Sequence, residues 1–147
     1  MSQSPESPAA SDSAYGNDVG IYLVTLSNVQ PISVNAQDPR IATRCLHVTL
    51  INCKIGKAHS FKGRERNYWK TFGAQHVQFR PIACTSEPRA AERVILRALL
   101  PWRLRSPAGR RTEWLGNIAP DDAERVALEA LRDAEIAYTK PTPTIAM

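Results

Sequence analysis

The sequence lacks the features that mark membrane-spanning and secreted proteins. No apolar run in its 147 residues approaches the roughly 20 residues needed to cross a bilayer, so we expect no transmembrane helix. The N-terminal stretch MSQSPESPAASDSA has neither the basic start nor the apolar segment of a secretory signal. These absences predict a cytoplasmic protein with no membrane partner.

Cysteine is scarce as well. The chain has three cysteines, Cys45, Cys53 and Cys84, and no CxxC pair. The three histidines do not complete a zinc-binding spacing, although a site built from Cys45, His47 and Cys53 stays an alternative. Reduced, mostly buried thiols in a cytosolic protein are the favoured interpretation.

Acidic residues are nearly missing from the middle of the chain. The segment 40–111 holds 16 Lys or Arg and three acids and so carries a net +13, whereas the remainder carries −8. The overall net charge of +5 hides this division. A segment this basic attracts polyanions, phosphate backbones above all. Charge alone also allows a soluble arginine-rich face with no specific partner.

The remaining composition, 43% hydrophobic and 22% charged, fits one small domain. We expect a disordered tail over 1–18, a folded domain over 19–139 and a loose tail over 140–147. The β-branched and aromatic run 21–26 predicts the first strand. Residues 27–42 resemble a loop, and the alternating run 45–51 predicts a second strand that continues into 53–56.

The second half of the chain predicts helices around one more strand. Ser60 is a candidate N-cap for a helix over 61–71 closed by Gly73. A strand over 76–84, with Pro81 at an edge or bulge, precedes a helix that ends near Leu100. The stretch 102–112 resembles a loop, 113–115 a short strand or turn, and 120–138 a last helix. We expect an α/β (α+β) domain with a small, three-stranded, mostly antiparallel sheet flanked by helices.

Five short motifs, in order, resemble the GIY-YIG nucleases. Gly20-Ile21-Tyr22 and Lys54-Ile55-Gly56 resemble the paired motifs that name the family, and Lys54 to Lys57 looks like the KIGK variant of bacterial and phage members. Arg64 follows Gly56 by eight residues and Tyr68 follows Arg64 by four. That spacing resembles the family's catalytic arginine and the Tyr or His after it.

Two further elements extend the resemblance over about residues 20–118. Glu92, in the run 90–96, resembles the helix glutamate that binds the metal in the family. The run 111–115, RTEWL, looks like the GEWF element that closes this subgroup.

The resemblance implies a metal-dependent endonuclease that hydrolyses DNA with one Mg²⁺ or Mn²⁺. Tyr22 would act as general base or position the attacking water, with Lys54 assisting. Arg64 would stabilise the pentavalent phosphate, and Tyr68 would hold a phosphate oxygen or relay a proton. Glu92 would bind the metal.

The residues themselves support this assignment on physical grounds. A spacing of four places Arg64 and Tyr68 on one face of their helix, and arginine can grip phosphate oxygens in pairs. A tyrosine beside a cation and a metal becomes a proton acceptor once its pKa is lowered. Glu92 is one of three acids in the basic segment. The alternatives are a solvated Lys54 and a helix-surface ion pair of Glu92 with Arg89 or Arg93.

Basic residues near these motifs are expected to contact nucleic acid. The set comprises Lys57, Lys62, Arg66, Lys70, Arg93 and Arg97. DNA is the expected partner, with RNA as an alternative. Tyr22 and Lys54 are 32 positions apart, so 27–44 is an insertion into the short hairpin usual for the family. A homodimer, or DNA contacts from that insertion, are routes to specificity. Two other functions stay open, namely an inactive nucleic-acid-binding module and a nuclease toxin or effector.

Overall fold

The computed structural model describes residues 16, 18–27, 32–33, 45–46, 52–106 and 109–141. Most of the predicted insertion, the residues 47–51 of the second predicted strand and the chain ends lie outside the described residues. The strands are β1 (Gly20–Leu26), β2 (Ile32–Ser33), β3 (Cys45–Leu46), β4 (Asn52–Ala58), β5 (Val77–Cys84), β6 (Arg103–Arg105) and β7 (Arg111–Gly116). The helices are α1 (Phe61–Phe72), α2 (Pro88–Ala98) and α3 (Pro120–Asp133).

The main sheet of the described chain is antiparallel and has five strands, in the order β5-β1-β4-β7-β6. The expected three-stranded sheet was therefore wrong, although an α+β fold agrees with the expected mixture of helices and strands. The error lies in the arginine-rich stretch 102–112, where β6 and the start of β7 form a hairpin. β6 pairs with β7, on which Trp114 and Leu115 are buried. Local sequence signals do not reveal this pairing, because strand formation depends on packing against neighbouring strands.

Alternating side chains of β1 pack on the two sides of the sheet. Ile21 and Leu23 belong to the core cluster that includes residues of α2 and α3. Tyr22 and Val24 belong to a second cluster that includes Phe61 of α1. Burial of each large apolar side chain contributes about 1.5–3 kcal/mol. This alternation turns Tyr22 toward α1.

The ends of α1 confirm the sequence prediction. The Ser60 hydroxyl accepts a hydrogen bond from the Gly63 N–H at 3.0 Å, which satisfies one of the first free N–H groups of the helix. Gly73 follows the last turn with a φ of 92°. The carbonyl groups of Gly16 and Asp18 accept from the first two N–H groups of α1, so the folded part extends back into the predicted tail.

Pro81 also takes the place predicted for it. β5 is an edge strand of the sheet, and its register against β1 shifts between Ile21 and Tyr22. An edge or bulge is where a strand tolerates proline, because proline has no N–H to donate.

α3 ends earlier than expected, at Asp133 instead of residue 138. The N–H groups of Glu135 and Ile136 donate back to the carbonyls of Arg132 and Leu131, and Glu135 has a φ of 59°. These bonds form a Schellman motif, which closes a helix by satisfying its last carbonyls. Among the described residues, no helix is long and apolar enough to cross a membrane.

Candidate active site

Three of the predicted catalytic residues meet between the sheet and α1. Tyr22 on β1 and Tyr68 on α1 bring their hydroxyl oxygens to 2.9 Å. The Lys54 ammonium on β4 donates to the Tyr68 oxygen at 2.8 Å. The fold thus joins residues 46 positions apart into one hydrogen-bonded cluster, which we call the tyrosine–lysine cluster.

The glycines of the two paired motifs make room for this cluster. Gly56 lies directly opposite Tyr22 in the antiparallel register, and a Cβ at Gly56 would collide with the Tyr22 phenol. A Cβ at Gly20 would collide with the Ala83 carbonyl. Glycine is therefore required at both positions because other groups lie against the backbone.

Aromatic packing fixes the orientation of both phenol rings. Tyr22 stacks on Phe79 with ring centroids 4.7 Å apart, and Tyr68 meets Tyr22 edge to face at 5.8 Å. The Lys54 nitrogen lies 5.3 Å from the centroid of the Tyr68 ring, within cation–π range. The hydroxyl groups are held in place before any ligand binds.

Burial raises the pKa of both phenols. Burial raises the pKa of Tyr22 far above its ordinary value, and the nearby charges of Lys54 and Arg64 only partly oppose it. Burial likewise raises the pKa of Tyr68 to about 12. A lowered pKa was expected for a tyrosine beside a cation and a metal; beside the cations Lys54 and Arg64, burial shifts the pKa of Tyr22 upward. Desolvation of the phenolate outweighs the two cations here.

One of the two hydroxyl protons in the tyrosine–lysine cluster is not used by the contact between the two tyrosines. Each neutral phenol has one O–H, and the contact between Tyr22 and Tyr68 uses one of these two protons. Within the part of the chain that the structure describes, no acceptor is found for the other. A buried donor needs an acceptor, and a phosphate oxygen or a water molecule can supply it.

Arg64 lies one helical turn before Tyr68 on α1. Its positive charge lowers the pKa of both Tyr22 and Tyr68 against the larger effect of burial. A separation of four residues places Arg64 and Tyr68 on the same face of α1, as their spacing in the sequence predicted.

Glu92 forms a second cluster with Lys57 and Glu113. Only 9% of Glu92 is exposed, and its Oε1 accepts from the Lys57 ammonium at 3.1 Å. Its carboxyl group also contacts that of Glu113. Burial raises the pKa of Glu113; the positive charge of Lys54 opposes this shift and the negative charge of Glu92 adds to it. In the described residues the ion-pair partner of Glu92 is Lys57, and not Arg89 or Arg93, the partners that the sequence offered as an alternative to metal binding.

Glu113 connects the two clusters and was missing from the sequence-predicted site. Its Oε1 lies 3.8 Å from the Lys54 nitrogen, so polar contacts run from Tyr22 through Tyr68, Lys54 and Glu113 to Glu92. The signal was present in the sequence, because Glu113 is the acid of the RTEWL motif. The motif alone does not show that Glu113 approaches Lys54 and Glu92.

The carboxyl pair has the chemistry of a site for a small divalent cation. Mg²⁺ is usually bound by one or two carboxylates, with waters and substrate phosphates completing the octahedron. Glu92 and Glu113 fit that pattern. Among the described residues there is no group of three or more His, Cys, Asp or Glu that would form a larger cage.

The predicted nucleic-acid contacts are divided by the fold. Lys57 lies in the site, bound to Glu92. Lys62, Arg66 and Lys70 follow one another at four-residue intervals along α1, and at 3.6 residues per turn this stripe faces away from Arg64. Arg93 and Arg97 are exposed on the outer side of α2. These five residues therefore lie outside the contacts that join the two clusters.

Comparison of the chain with protein-family models, with curated proteins and with solved structures finds no match. Support for a function therefore comes from the geometry of Tyr22, Lys54, Arg64, Tyr68 and Glu92 and from the motifs that contain them.

Proposed function

We propose that the chain is a metal-dependent endonuclease that hydrolyses DNA phosphodiester bonds by a one-metal mechanism, as in the GIY-YIG nucleases that its motifs resemble. The observation that supports this most directly is the convergence of the five candidate catalytic residues. They come from β1, β4, α1 and α2. Contacts through Glu113 link Tyr22, Tyr68 and Lys54 to Glu92, and Arg64 lies one helical turn before Tyr68 on α1.

The tyrosine–lysine cluster and Arg64 can stabilise the transition state of phosphodiester hydrolysis. Hydrolysis builds negative charge on the phosphate oxygens, and fixed donors in a dry site stabilise that charge well. Arg64 supplies a planar pair of N–H donors for two oxygens, and Tyr68 donates to a third. Tyr22, a neutral phenol, positions the attacking water by hydrogen bonding instead of removing its proton in the resting protein.

Glu92 is the residue that would hold Mg²⁺ or Mn²⁺, with Glu113 beside it. The ion, when bound, supplies charge neutralisation at the phosphate and orients a water. Lys57 occupies one carboxylate oxygen of Glu92 in this structure, so it compensates the negative charge of that carboxylate.

A plasmid-nicking assay tests the proposal. We expect purified protein to nick supercoiled DNA with Mg²⁺ and to stop when EDTA is added. Glu92→Gln and Arg64→Ala should each lower the rate by about 100-fold or more, because each removes a group that acts on the developing charge. Glu87→Gln is the matched control, since Glu87 is an exposed acid of the same basic segment.

The controls separate activity from contamination. Equal nicking by the wild type and the Glu92 and Arg64 variants would indicate a contaminating nuclease. Absence of cleavage of plasmid, single-stranded DNA and RNA would exclude the enzyme proposal.

A second function, a nucleic-acid-binding module without catalysis, is favoured by specific features of the site. Lys54 stands where the family motif has tyrosine, both phenols are protonated, and Lys57 already neutralises Glu92. Such a module would bind nucleic acid tightly and with strong salt dependence, without any need for metal and without turnover.

A further inference from the structure

The hairpin of β6 and β7 carries four arginines, Arg103, Arg105, Arg110 and Arg111, and β6 is an edge of the sheet. Three of these guanidinium groups are fixed to main-chain carbonyls: Arg103 Nε to Thr112 O at 2.8 Å, Arg105 Nη1 to Gly109 O at 2.7 Å and Arg111 Nη1 to Leu100 O at 3.4 Å. Within the described ranges, none of the four forms an ion pair with a carboxylate.

This arrangement holds positive charge in place without neutralising it. A carbonyl oxygen orients a guanidinium but leaves its full charge and its other N–H groups available. Arg105 lies directly opposite Arg111 in the register, and like charges in opposed positions are destabilising. An anionic partner relieves that repulsion, and the planar fork of arginine matches a phosphate group.

The arginines flank the carboxyl pair of the candidate active site. Glu113 lies on β7 between Arg111 and Leu115, and the partners of these two residues on β6 are Arg105 and Arg103. Two residues along a strand correspond to about 7 Å. A phosphate chain bound along the hairpin would therefore lie beside Glu113, which in turn contacts Glu92.

We propose that this hairpin is the surface that binds the phosphate backbone of the nucleic-acid substrate and leads it to Glu92 and Glu113, an inference that rests on the proposed nuclease function. The hairpin arginines were absent from the contacts predicted from the sequence. The α1 stripe of Lys62, Arg66 and Lys70, which was among those contacts, faces away from Arg64 and offers a control of equal charge.

Binding measurements on the full chain test the assignment. The anisotropy of a fluorescein-labelled DNA duplex would be titrated in EDTA, so that binding is measured without cleavage. We expect Arg105→Gln/Arg110→Gln to bind about tenfold more weakly and to reduce the slope of log Kd against log salt by about 2. Lys62→Gln/Arg66→Gln removes the same charge from α1 and should keep the wild-type slope.

Several outcomes would overturn the assignment. Equal losses of DNA affinity in the two double variants would mean that net charge, and not the hairpin, determines binding. A larger loss of affinity in the α1 variant would indicate that α1 is the binding surface. Thermal unfolding checks folding, and Arg110→Gln alone, whose side chain is exposed, serves if the double variant unfolds. A loss of affinity in the hairpin variant would support the binding surface even if the wild type cleaves no nucleic acid. Cleavage by the wild type together with unchanged binding by the hairpin variant would exclude the surface and leave the nuclease proposal intact.

Discussion

At the scale of single residues, the buried hydroxyl pair determines what the site can do. Only 2% of Tyr22 and 5% of Tyr68 is exposed, so both side chains are buried. Burial raises the pKa of both phenols because it disfavours the charged phenolate. The pair therefore donates hydrogen bonds, which suits the recognition of a phosphate.

The same pair predicts a loss of stability in alkali. A tyrosine with a raised folded-state pKa binds its proton more tightly than the unfolded chain does. Its contribution is complete below the unfolded pKa of about 10 and is lost as the pH rises from there through the Tyr68 value of about 12. In that window the free energy of unfolding should fall by about 1.4 kcal/mol per pH unit for each phenol.

Urea unfolding at several pH values between these limits measures that slope. Tyr22→Phe/Tyr68→Phe should flatten it, because no buried phenol is left to ionise. Tyr138→Phe removes a tyrosine outside the cluster and should leave the slope as in the wild type. An unchanged slope in the double variant would contradict the assignment of the alkaline loss to this pair.

At the scale of elements, the contact of β1 with β4 creates the site. Pairing Tyr22 with Gly56 lays the phenol across the neighbouring strand, and the same register places Lys54 opposite Val24. The tyrosine–lysine cluster thus depends on the register of these two strands, since a slip of one residue would turn every side chain to the other face.

Gly56→Ala tests that dependence. The added methyl group meets the Tyr22 ring, which Phe79 holds on its other side, so we expect a loss of about 1–3 kcal/mol from overpacking. Gly63→Ala is the matched control, because its Cβ would find only ordinary contact with Ser60. Within α1 it should stabilise the protein by about 0.5–1 kcal/mol. Chemical denaturation measures both, and similar effects of the two substitutions would contradict the steric argument.

The sequence predicted some elements well because their signals are local. Ser60 and Gly73 mark the ends of α1, and Pro81 marks an edge strand. β6 has only three residues in an arginine- and proline-rich stretch, so its strand character depends on pairing with β7. Glu113 was missed for the same reason, since its approach to Lys54 depends on the pairing of β7 with β4.

At the scale of the whole molecule, the arginines on the two edge strands of the sheet have different partners. On edge strand β5, Arg80 pairs with Asp121 and Glu124 of α3 at 2.8 and 3.0 Å. On edge strand β6, Arg103 and Arg105 donate to main-chain carbonyls, and among the described residues neither pairs with a carboxylate. Acids from outside the basic segment thus neutralise Arg80 on one edge, whereas the described acids leave the arginines of the other edge charged.

The last prediction concerns Lys57, which links β4 to the carboxyl pair supplied by α2 and β7. Without metal, Lys57→Met should lower Tm by a few degrees, because Glu92 and Glu113 lose a compensating charge. Mg²⁺ should then raise Tm more in this variant than in the wild type, since no ammonium competes for Glu92 and ligand binding stabilises the folded state. Lys70→Met, which removes an exposed lysine from the opposite side of α1, should behave as the wild type. Scanning fluorimetry with and without Mg²⁺ measures the three proteins, and an identical Mg²⁺ shift in all of them would place the ion elsewhere than at Glu92.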